Sequence, residues 1–409
     1  MEEFMEFYGI CSIVAILGLI GCALQFISVR GASRNVENRS VRPADLTARF
    51  CPPITILKPL KGLDDNLFDN LASFCTMDYP MFQIIFSLQD HNDPAYRIAK
   101  LIKNKYANID ITIHVERCEY GLNPKVNNLI PAYALSKYPF VLISDSNVMV
   151  EKDYLSEIIS HMADPRVGLV SNMIRGTGGR SLGSILENLH LNSFIVGSVC
   201  MLDRMLGMPC VIGKSMLMRR TAFDGIGGFM TVKNVLAEDY IIGKRMHDAG
   251  IKVVLSTHLI NNVNEFWSLK QFLNRHTRWG KIRWKIGGFR YVAELAGNPV
   301  FISFLPIIFW EASKLTVLSA ALIMCIKILG DYLTARTIAG DMKLSRYLLV
   351  PVKDILIGCI WFVPLLSATV AWRGNRYLIG KDSVLSPCSN TGLSGAMHRL
   401  ENIVAERLA

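Results

Sequence analysis

The sequence has 409 residues, which is too long for one small domain and leaves room for a catalytic domain with further elements. Hydrophobic residues make up 51% of it and the mean hydropathy is +0.30, values that are high for a fully soluble protein and indicate membrane segments. The formal net charge of +10 favours acidic partners, and nucleic acid, anionic lipid and nucleotide sugars are the candidates. The 10 cysteines include no C-x-x-C pair, which argues against a zinc ribbon or a disulfide framework and suits a reducing compartment.

The first apolar stretch predicts a membrane anchor. Residues 7–29 carry no charge and are numerous enough to cross a bilayer as a helix. Acidic residues precede this stretch, whereas a cleaved signal peptide begins with basic ones, so we expect an uncleaved anchor over residues 1–30. By the positive-inside rule, the domain that follows lies in the cytoplasm, because basic residues come after the span at Arg30, Arg34, Arg39, Arg42 and Arg49.

Residues 51–265 alternate short β-like runs with helical patterns, which predicts a cytosolic α/β domain with a parallel sheet. We expect strands at 54–57, 83–88, 111–115, 140–143 and 216–219, and helices at 65–75, 95–106 and 240–249. The glycine-rich residues 176–179 lack the G-K-[ST] ending of a phosphate-binding loop and are interpreted as an ordinary loop.

Polar residues follow the predicted strands, where ligands of such sheets bind. Asp145 lies in the sequence SDSN at 144–147, and it either holds a divalent cation or stabilises a turn. Asp90 and Asp93 allow the same two interpretations, and Asp93 before Pro94 is also a plausible helix N-cap. Lys125 either contacts a phosphate or simply begins a helix.

Two adjacent carboxylates, Glu238 and Asp239, begin the helical pattern that ends at Gly250. One interpretation is that they complement the helix dipole, as acids in a first turn often do. The other is that one of them is a general base above a nucleotide site. Spacing alone does not separate the two.

Residues 266–298 mix basic side chains with tryptophan, which is typical of a helix in the lipid headgroup region and unlike any nucleic-acid-binding module. Within them, Arg275 and Arg278 are three residues apart and therefore share one side of a helix, with Trp279 beside them. Two guanidinium groups on one face are suited to binding a dianion such as a diphosphate.

The C-terminal membrane segments are predicted within residues 299–372. Residues 299–310 are too few to span alone and are expected to be re-entrant or interfacial, while 315–329 is borderline unless Lys314 and Lys327 reach the interface. Residues 355–372 form the best span, with a kink at Pro364, and Lys353 and Asp354 at its entrance either pair or lie in water. Residues 373–409 are expected to be a cytosolic tail, because Arg373 and Arg376 follow the span.

Several motifs in one order resemble the ceramide glucosyltransferases of glycosyltransferase family 21, which are inverting enzymes of the GT-A fold. The resemblance covers nearly the whole chain. Its motifs are LKPLKG at 57–62, DYP at 78–80, QDHNDP at 89–94, NPKVNN at 123–128, the pair at 145–146, AEDY at 237–240, RHTRW at 275–279 and WRGNRY at 372–377.

The resemblance implies transfer of one sugar, glucose above all, from a UDP-sugar to a hydroxyl of ceramide or a related membrane lipid, with a divalent metal (Mg²⁺ or Mn²⁺). It implies Asp239 as the general base, and Arg275, Arg278 and Trp279 at the diphosphate and the acceptor entrance. The residues expected at the donor nucleotide are Lys58, Asp90, Asp93, Lys125 and Asp145. Of these, Asp145 would also bind the metal.

Two departures from the family pattern bear on this expectation. Asn147 stands at the second acidic position of the D-x-D motif, and the Ser-His-Pro run of the animal enzymes is absent near residues 191–198. The acceptor can therefore be another lipid, such as a hopanoid. The competing hypotheses are a processive polysaccharide synthase, for which the predicted spans look too few, and a non-catalytic lipid-binding protein that keeps the fold.

Overall fold

The computed structural model describes residues 2–40, 50–208, 210–310, 312–372 and 375–388, with only the backbone described for 35–40 and 375. The side chain of Arg39, together with Arg42, Arg49, Arg373 and the tail after residue 388, lies outside the described part.

Eleven strands are found in the described residues: β1 Ile54–Pro59, β2 Phe82–Leu88, β3 Asp110–Val115, β4 Phe140–Ser144, β5 Val148–Met149, β6 Val167–Thr177, β7 Ser215–Arg219, β8 Lys252–Val263, β9 Thr369–Trp372, β10 Asn375–Ile379 and β11 Leu385–Pro387. The α-helices there are α1 Glu2–Ser40, α2 Leu67–Cys75, α3 Pro94–Lys105, α4 Pro124–Ala134, α5 Tyr154–Ser160, α6 Leu182–His190, α7 Val196–Leu206, α8 Arg220–Gly225, α9 Glu238–Asp248, α10 Leu269–Gly287, α11 Val292–Ala296, α12 Pro299–Phe309, α13 Lys314–Thr337, α14 Val350–Ile360 and α15 Val363–Leu366.

The predicted α/β architecture is confirmed, but the sheet is mixed instead of parallel throughout. An eight-stranded sheet has the order β3-β2-β1-β4-β7-β6-β8-β5. The neighbours from β3 to β4 run parallel, β7 is antiparallel to both β4 and β6, and β8 is parallel to β6. The five strands that the sequence predicts are all present. One detail was wrong: Gly176 and Thr177 belong to β6, because they pair with Asn262 and Val263 of β8 instead of forming a loop.

Both faces of the sheet are covered, which explains why its strands are apolar throughout. Successive residues of β1 point to opposite faces, so Ile56 packs with Phe74 on one side and Leu57 packs with Val141 on the other. The antiparallel pairing of β4 with β7 matches Ser144 to Ser215. That register brings the residue after β4 and the residue before β7 to the same edge of the sheet.

Four helices of the described chain are long and apolar enough to cross a membrane: Glu2–Arg34, Leu182–Leu206, Lys314–Thr337 and Leu344–Leu366. A fifth candidate is the pair Leu269–Ala296 and Pro299–Phe309, which is bent by 70°. The expectation that residues 299–310 cannot span alone agrees with this bend. The helix α1 packs against α7, α12 and α13, and Gly18 allows the close approach because a Cβ there would lie 2.4 Å from the carbonyl oxygen of Ala296.

The span expected over residues 355–372 was wrong at its end. The helix stops at Leu366, Ser367 adopts an extended conformation, and residues 369–372 form β9. Strands β9, β10 and β11 make a small antiparallel sheet that hydrogen-bonds to the segment before α9, through Leu236 N to Ser383 O at 2.9 Å and Leu385 N to Asn234 O at 2.7 Å. The first part of the expected tail therefore contacts the large sheet domain.

The interior of the apolar helices contains ionised side chains. Lys327 is buried and pairs with Asp331 of its own helix, at 2.5 Å, and with Asp354 of α14, at 3.6 Å. Lys353 is fully buried and pairs with Asp331 at 2.8 Å and with Asp354 at 3.1 Å. The neighbours Lys353 and Asp354 thus pair with each other. Buried charges need such partners, and these four compensate one another.

Candidate active site

Asp145 lies at the carboxyl end of β4 and is held by two lysines. Its Oδ1 is 2.9 Å from Lys125 Nζ and its Oδ2 is 3.1 Å from Lys214 Nζ. Burial alone would raise the pKa of Asp145, but the two ammonium groups hold it well below its usual range. Lys214 also donates to the side-chain oxygen of Asn147 at 2.6 Å. Asn147 therefore contacts a lysine where a D-x-D motif would place its second acid.

Lys58 is a third lysine beneath this edge of the sheet. Its ammonium group donates to Ser144 Oγ at 3.2 Å and to the backbone oxygen of Asp145 at 3.0 Å, and it lies 3.4 Å from the centre of the Phe74 ring. The side chain is fully buried, and burial lowers its pKa well below the ordinary value. Lys58 therefore fixes the backbone at Asp145 from below, while Lys125 and Lys214 remain partly accessible beside the carboxylate.

Lys125 connects Asp145 with the acidic start of α9. Its Nζ is 2.9 Å from Glu238 Oε1 and donates to the backbone oxygen of Gly213 at 3.2 Å. Burial alone would lower the pKa of Lys125, but Asp145, Glu238 and Asp239 raise it above the ordinary value. Lys125 lies in the first turn of α4, whose N-cap Asn123 accepts from Lys125 N at 2.9 Å. The helix N-terminus and the ammonium group together make this position attractive to anions.

The structure separates the two acids of α9. Glu238 is buried and accepts from Lys125 and from Asn123 Nδ2, the latter at 3.2 Å. Asp239 instead accepts hydrogen bonds from two backbone N–H groups, those of Gly213 at 2.7 Å and of Tyr240 at 2.8 Å. Burial, followed by the negative charge of Glu238, raises the pKa of Asp239 to about 6. A carboxylate with such a pKa is suited to accept a proton near neutral pH.

The two carboxylates near β2 are in local turns. Asp93 caps α3 by accepting from Ala95 N at 2.9 Å, and it also accepts from Gly62 N at 2.9 Å. The side chain of Asp90 is exposed and accepts from Asn92 N at 2.8 Å. These contacts do not join Asp90 or Asp93 to the lysine cluster, and their proposed role at the donor nucleotide stays a prediction.

Arg275 is buried at the start of the RHTRW segment on α10. Its guanidinium carbon lies 5.0 Å from the Trp267 ring and 4.3 Å from the Trp279 ring, and Nη1 is 3.4 Å from Glu187 Oε1. Glu187 is fully buried on α6, and its second oxygen is 2.8 Å from His276 Nε2. The guanidinium group of Arg275 is thus fixed in direction before any ligand binds. Arg278 and Trp279 are half-buried on the same helix.

Electrostatic proximity connects Arg275 to the lysine cluster. Burial lowers the pKa of Lys214, the carboxylate of Asp145 opposes this shift, and the charge of Arg275 adds to it. Asp145, Lys125, Lys214, Glu238 and Asp239 therefore form one charged site at the edge of the sheet, with the Arg275 cluster beside it. Sites of this kind bind and stabilise groups that carry or develop negative charge.

A divalent metal has only partial support from these side chains. Within the described residues, no group of three His, Cys, Asp or Glu side chains is placed to hold one. Asp145 offers the hard oxygen atoms that Mg²⁺ and Mn²⁺ prefer, although both are engaged by lysines. Magnesium sites often use one or two carboxylates and complete their coordination with substrate phosphates. Asp145 thus fits a metal that binds together with a diphosphate and competes with the lysines.

Three residues of the site were missed from the sequence. Lys214 comes next to Asp145 only because β7 runs antiparallel to β4, and the sequence carries no signal for that pairing. Glu187 and His276 lie on two different helices and meet only in the tertiary structure. The sequence offered one signal for this contact, the single carboxylate Glu187 within the apolar stretch of α6. A buried carboxylate there requires a partner from elsewhere in the chain.

Comparisons with known proteins identify the family of the chain. The model of glycosyl transferase family 21 matches residues 12–385. "Ceramide glucosyltransferase 1" of Caenorhabditis elegans is 30% identical over 279 residues, which are 67% of this chain and 57% of that protein. The ceramide glucosyltransferase of Gibberella zeae is 31% identical over 179 residues, covering 41% of this chain and 34% of that protein.

The chain spans about half the length of the C. elegans relatives that it matches. Among solved structures, the mannosyltransferase PcManGT from Pyrobaculum calidifontis in complex with GDP-Man and Mn²⁺ is similar over 87% of this chain and 98% of that chain. The TM-score is 0.47 and the sequence identity is 14%. Because the family model covers most of its length, the chain belongs to glycosyl transferase family 21.

Proposed function

We propose that this chain transfers one sugar, most simply glucose, from a UDP-sugar to a hydroxyl of a ceramide-like membrane lipid and forms a β-glycoside. The observation that carries the proposal is Asp239, a carboxylate with a raised pKa, beside the Asp145–lysine cluster. A proton acceptor next to an anion site is what attack by a hydroxyl on a nucleotide sugar requires. The names of the relatives in family 21 add the lipid acceptor.

In the proposed reaction, the acceptor oxygen attacks the anomeric carbon and Asp239 takes the hydroxyl proton. A new carbon–oxygen bond forms while the bond from the anomeric carbon to the diphosphate breaks, and UDP leaves with the electron pair. Lys125, Lys214 and Arg275 stabilise the charge that develops on the diphosphate. A metal bound at Asp145 would add Lewis-acid stabilisation of the same oxygens. Because the displacement occurs once, an α-linked donor gives a β-linked product.

The remaining residues keep their predicted roles in this proposal. Lys58, Asp90 and Asp93 belong to the donor side, and Arg278 and Trp279 to the diphosphate and the acceptor entrance. Residues 1–30 form the anchor, 51–265 the catalytic domain, 266–298 the interfacial helices and 299–366 the membrane segments, and strands β9, β10 and β11 belong with the catalytic domain. The catalytic domain lies on the cytoplasmic face, since Arg30 and Arg34 follow the first span.

The test is a membrane assay that combines a panel of UDP-sugars with a panel of lipid acceptors and identifies products by mass. We expect one hexose added to a hydroxylated lipid amide. Oligosaccharides would support a processive synthase instead, and a glycosylated hopanoid would assign a different acceptor. Absence of transfer with every pair, in a protein that still binds a lipid, would favour the non-catalytic hypothesis.

A further inference from the structure

A cavity lies beside the Arg275–Glu187–His276 cluster, and His276 is part of its lining. It is lined by residues from α6, α10, α11, α13 and α14. The lining contains both apolar residues, such as Phe194 and Trp361, and polar ones, such as His190 and His276. A mixed lining of this kind is typical of sites for small amphiphilic ligands, in which a few polar groups fix the orientation.

Two buried histidines, His190 and His276, are among the polar lining residues of the cavity. Their rings meet edge to face with centroids 4.5 Å apart. His276 uses Nε2 in its contact with Glu187, and within the described residues its Nδ1 and the Nδ1 of His190 have no hydrogen-bond partner. Buried polar groups are normally paired, so two adjacent ring nitrogens without partners indicate a ligand that supplies hydrogen bonds.

His190 also stands at an irregular point of its helix. The chain continues from α6 into a π-helical segment, Leu191–Ile195, before α7 begins. Such π segments are often found at functional sites, because the extra residue changes the direction of the side chains around it.

The charged groups of the lining are already compensated. Arg283 Nε donates to both oxygens of Glu294, at 2.9 Å and 2.8 Å. Lys327 pairs with Asp331 and Asp354. A phosphate or a carboxylate entering this cavity would lose its hydration without gaining an unpaired cation. Removing a neutral head that carries hydroxyl or amide groups from water costs less free energy than removing an ionised group.

The position of the cavity connects the membrane with the site. Lys327 and Asp354 belong to candidate membrane spans and are part of the lining. His276, also in the lining, is next to Arg275 in the chain, and Glu187 contacts both. The outer surfaces of these helices expose large apolar side chains, for example Leu318 and Leu322 of α13, as expected of surfaces that face lipid.

We propose that this cavity binds the head of the acceptor lipid, that the head is neutral and bears hydroxyl or amide groups, and that His190 and His276 hydrogen-bond to it. The identification of the bound lipid as the acceptor rests on the proposed function. Binding of a neutral lipid head to the cavity, however, is measurable without any sugar transfer.

The experiment uses the full-length chain in nanodiscs and two photoreactive probes that share one diazirine-bearing chain, a ceramide and the corresponding ceramide 1-phosphate. Labelled peptides are identified by mass spectrometry. Ile357→Trp fills the cavity from α14, where Ile357 is half-buried, and Leu318→Trp adds the same side chain on the exposed face of α13 as the matched control. His190→Phe keeps an aromatic ring, somewhat larger than imidazole, but removes the hydrogen-bonding nitrogens.

The neutral probe is expected to label peptides of α10, α11 and α14, and the phosphorylated probe to label them at least about tenfold less, a factor that corresponds to roughly 1.4 kcal/mol. Ile357→Trp should abolish the labelling, Leu318→Trp should leave it unchanged, and His190→Phe should weaken it about fivefold, as expected for one lost hydrogen bond. Equal labelling by both probes, or labelling indifferent to Ile357→Trp, would overturn the inference.

Two further measurements keep the inference separate from the proposed function. UDP binding by each variant shows that the sheet domain is folded. If the neutral probe labels the cavity but no lipid receives a sugar, the inference stands and the proposed function fails. If sugar transfer occurs while Ile357→Trp and His190→Phe change neither labelling nor the KM for lipid, the cavity is not the acceptor site.

Discussion

The carboxylate of Asp239 accepts a hydrogen bond of 2.7 Å from the backbone N–H of Gly213, the residue that precedes Lys214. The proposed base therefore contacts the residue next to Lys214, and Lys214 pairs with Asp145 at the edge of the sheet. Proton acceptance and stabilisation of the leaving group therefore depend on one short stretch before β7.

The pH dependence of sugar transfer should report Asp239. Its pKa is raised to about 6, so the carboxylate is protonated below that pH and cannot accept a proton. We expect kcat/KM to fall roughly tenfold per pH unit below about 6. Asp145 does not contribute to this limb, because its pKa is held well below the usual range. A flat profile between pH 5 and pH 7, with UDP binding intact, would argue against Asp239 as the base.

Gly213→Ala should lower kcat. A Cβ at this position would lie 2.8 Å from Asp239 Oδ2 and 3.1 Å from Lys125 Nζ, so the carboxylate has to move. A displacement of this kind costs on the order of a hundredfold in rate when it misplaces a catalytic group. Gly225→Ala is the control, since a Cβ there meets nothing within 4 Å. Equal rates for the two variants would show that the close contact between Gly213 and Asp239 is not important for catalysis.

Glu187→Ala should destabilise the protein. The variant leaves Arg275 and His276 buried without their carboxylate, and removal of one partner from a buried ion pair costs about 3–5 kcal/mol. Thermal unfolding of the detergent-solubilised chain measures this loss. Glu116→Gln, which changes an exposed carboxylate paired with His114, should alter the free energy of unfolding by less than about 0.5 kcal/mol. Indistinguishable melting temperatures would refute the structural role of Glu187.

Manganese binding should require the nucleotide. Without a diphosphate, the proposed metal position offers the carboxylate of Asp145, which is engaged by two lysines. Electron paramagnetic resonance should therefore detect weak Mn²⁺ binding to the free protein and much tighter binding with UDP, and Asp145→Asn should remove the increase. Asp248→Asn, at an exposed position of α9, is the control. Tight binding that persists in Asp145→Asn would place the metal elsewhere.

The C-terminal sheet should position the general base. Ser383 Oγ accepts from Ala237 N at 3.2 Å, two residues before Asp239, and Ser383 is fully buried. Loss of one such hydrogen bond is worth about 1 kcal/mol, so Ser383→Ala should lower kcat by roughly fivefold while KM for the donor stays constant. The matched control is Ser386→Ala, on the exposed side of β11. A change in KM alone would indicate a role in binding instead.

Much of the sheet domain could be predicted because its signals are local. Strands such as β1 and β4 are short apolar runs, and Asp93 before Pro94 identifies an N-cap that the structure confirms. Carboxylates at strand ends, such as Asp145, could be identified as candidate site residues because the strand before them is also a local signal. The acids of α9 were also visible, although only their tertiary surroundings distinguish Glu238, paired with Lys125, from Asp239.

The remainder depends on contacts between distant parts of the chain. The approach of Lys214 to Asp145 follows from an antiparallel register, and the Glu187–His276 contact joins residues of α6 and α10. Residues 369–372 were expected to continue a membrane segment, yet they form β9 because β10 and the segment near Leu236 supply partners for them. Tertiary pairing overrides local hydropathy at such positions.

The most direct test of the proposed mechanism is the turnover of Asp239→Asn with UDP-glucose and a ceramide acceptor, measured together with UDP-glucose binding. The substitution keeps the shape of the side chain but removes its ability to accept a proton. We predict that transfer falls by a factor of about 10²–10⁴ while binding of the donor is unchanged. Turnover equal to that of the unmodified chain would contradict the assignment of Asp239 as the general base.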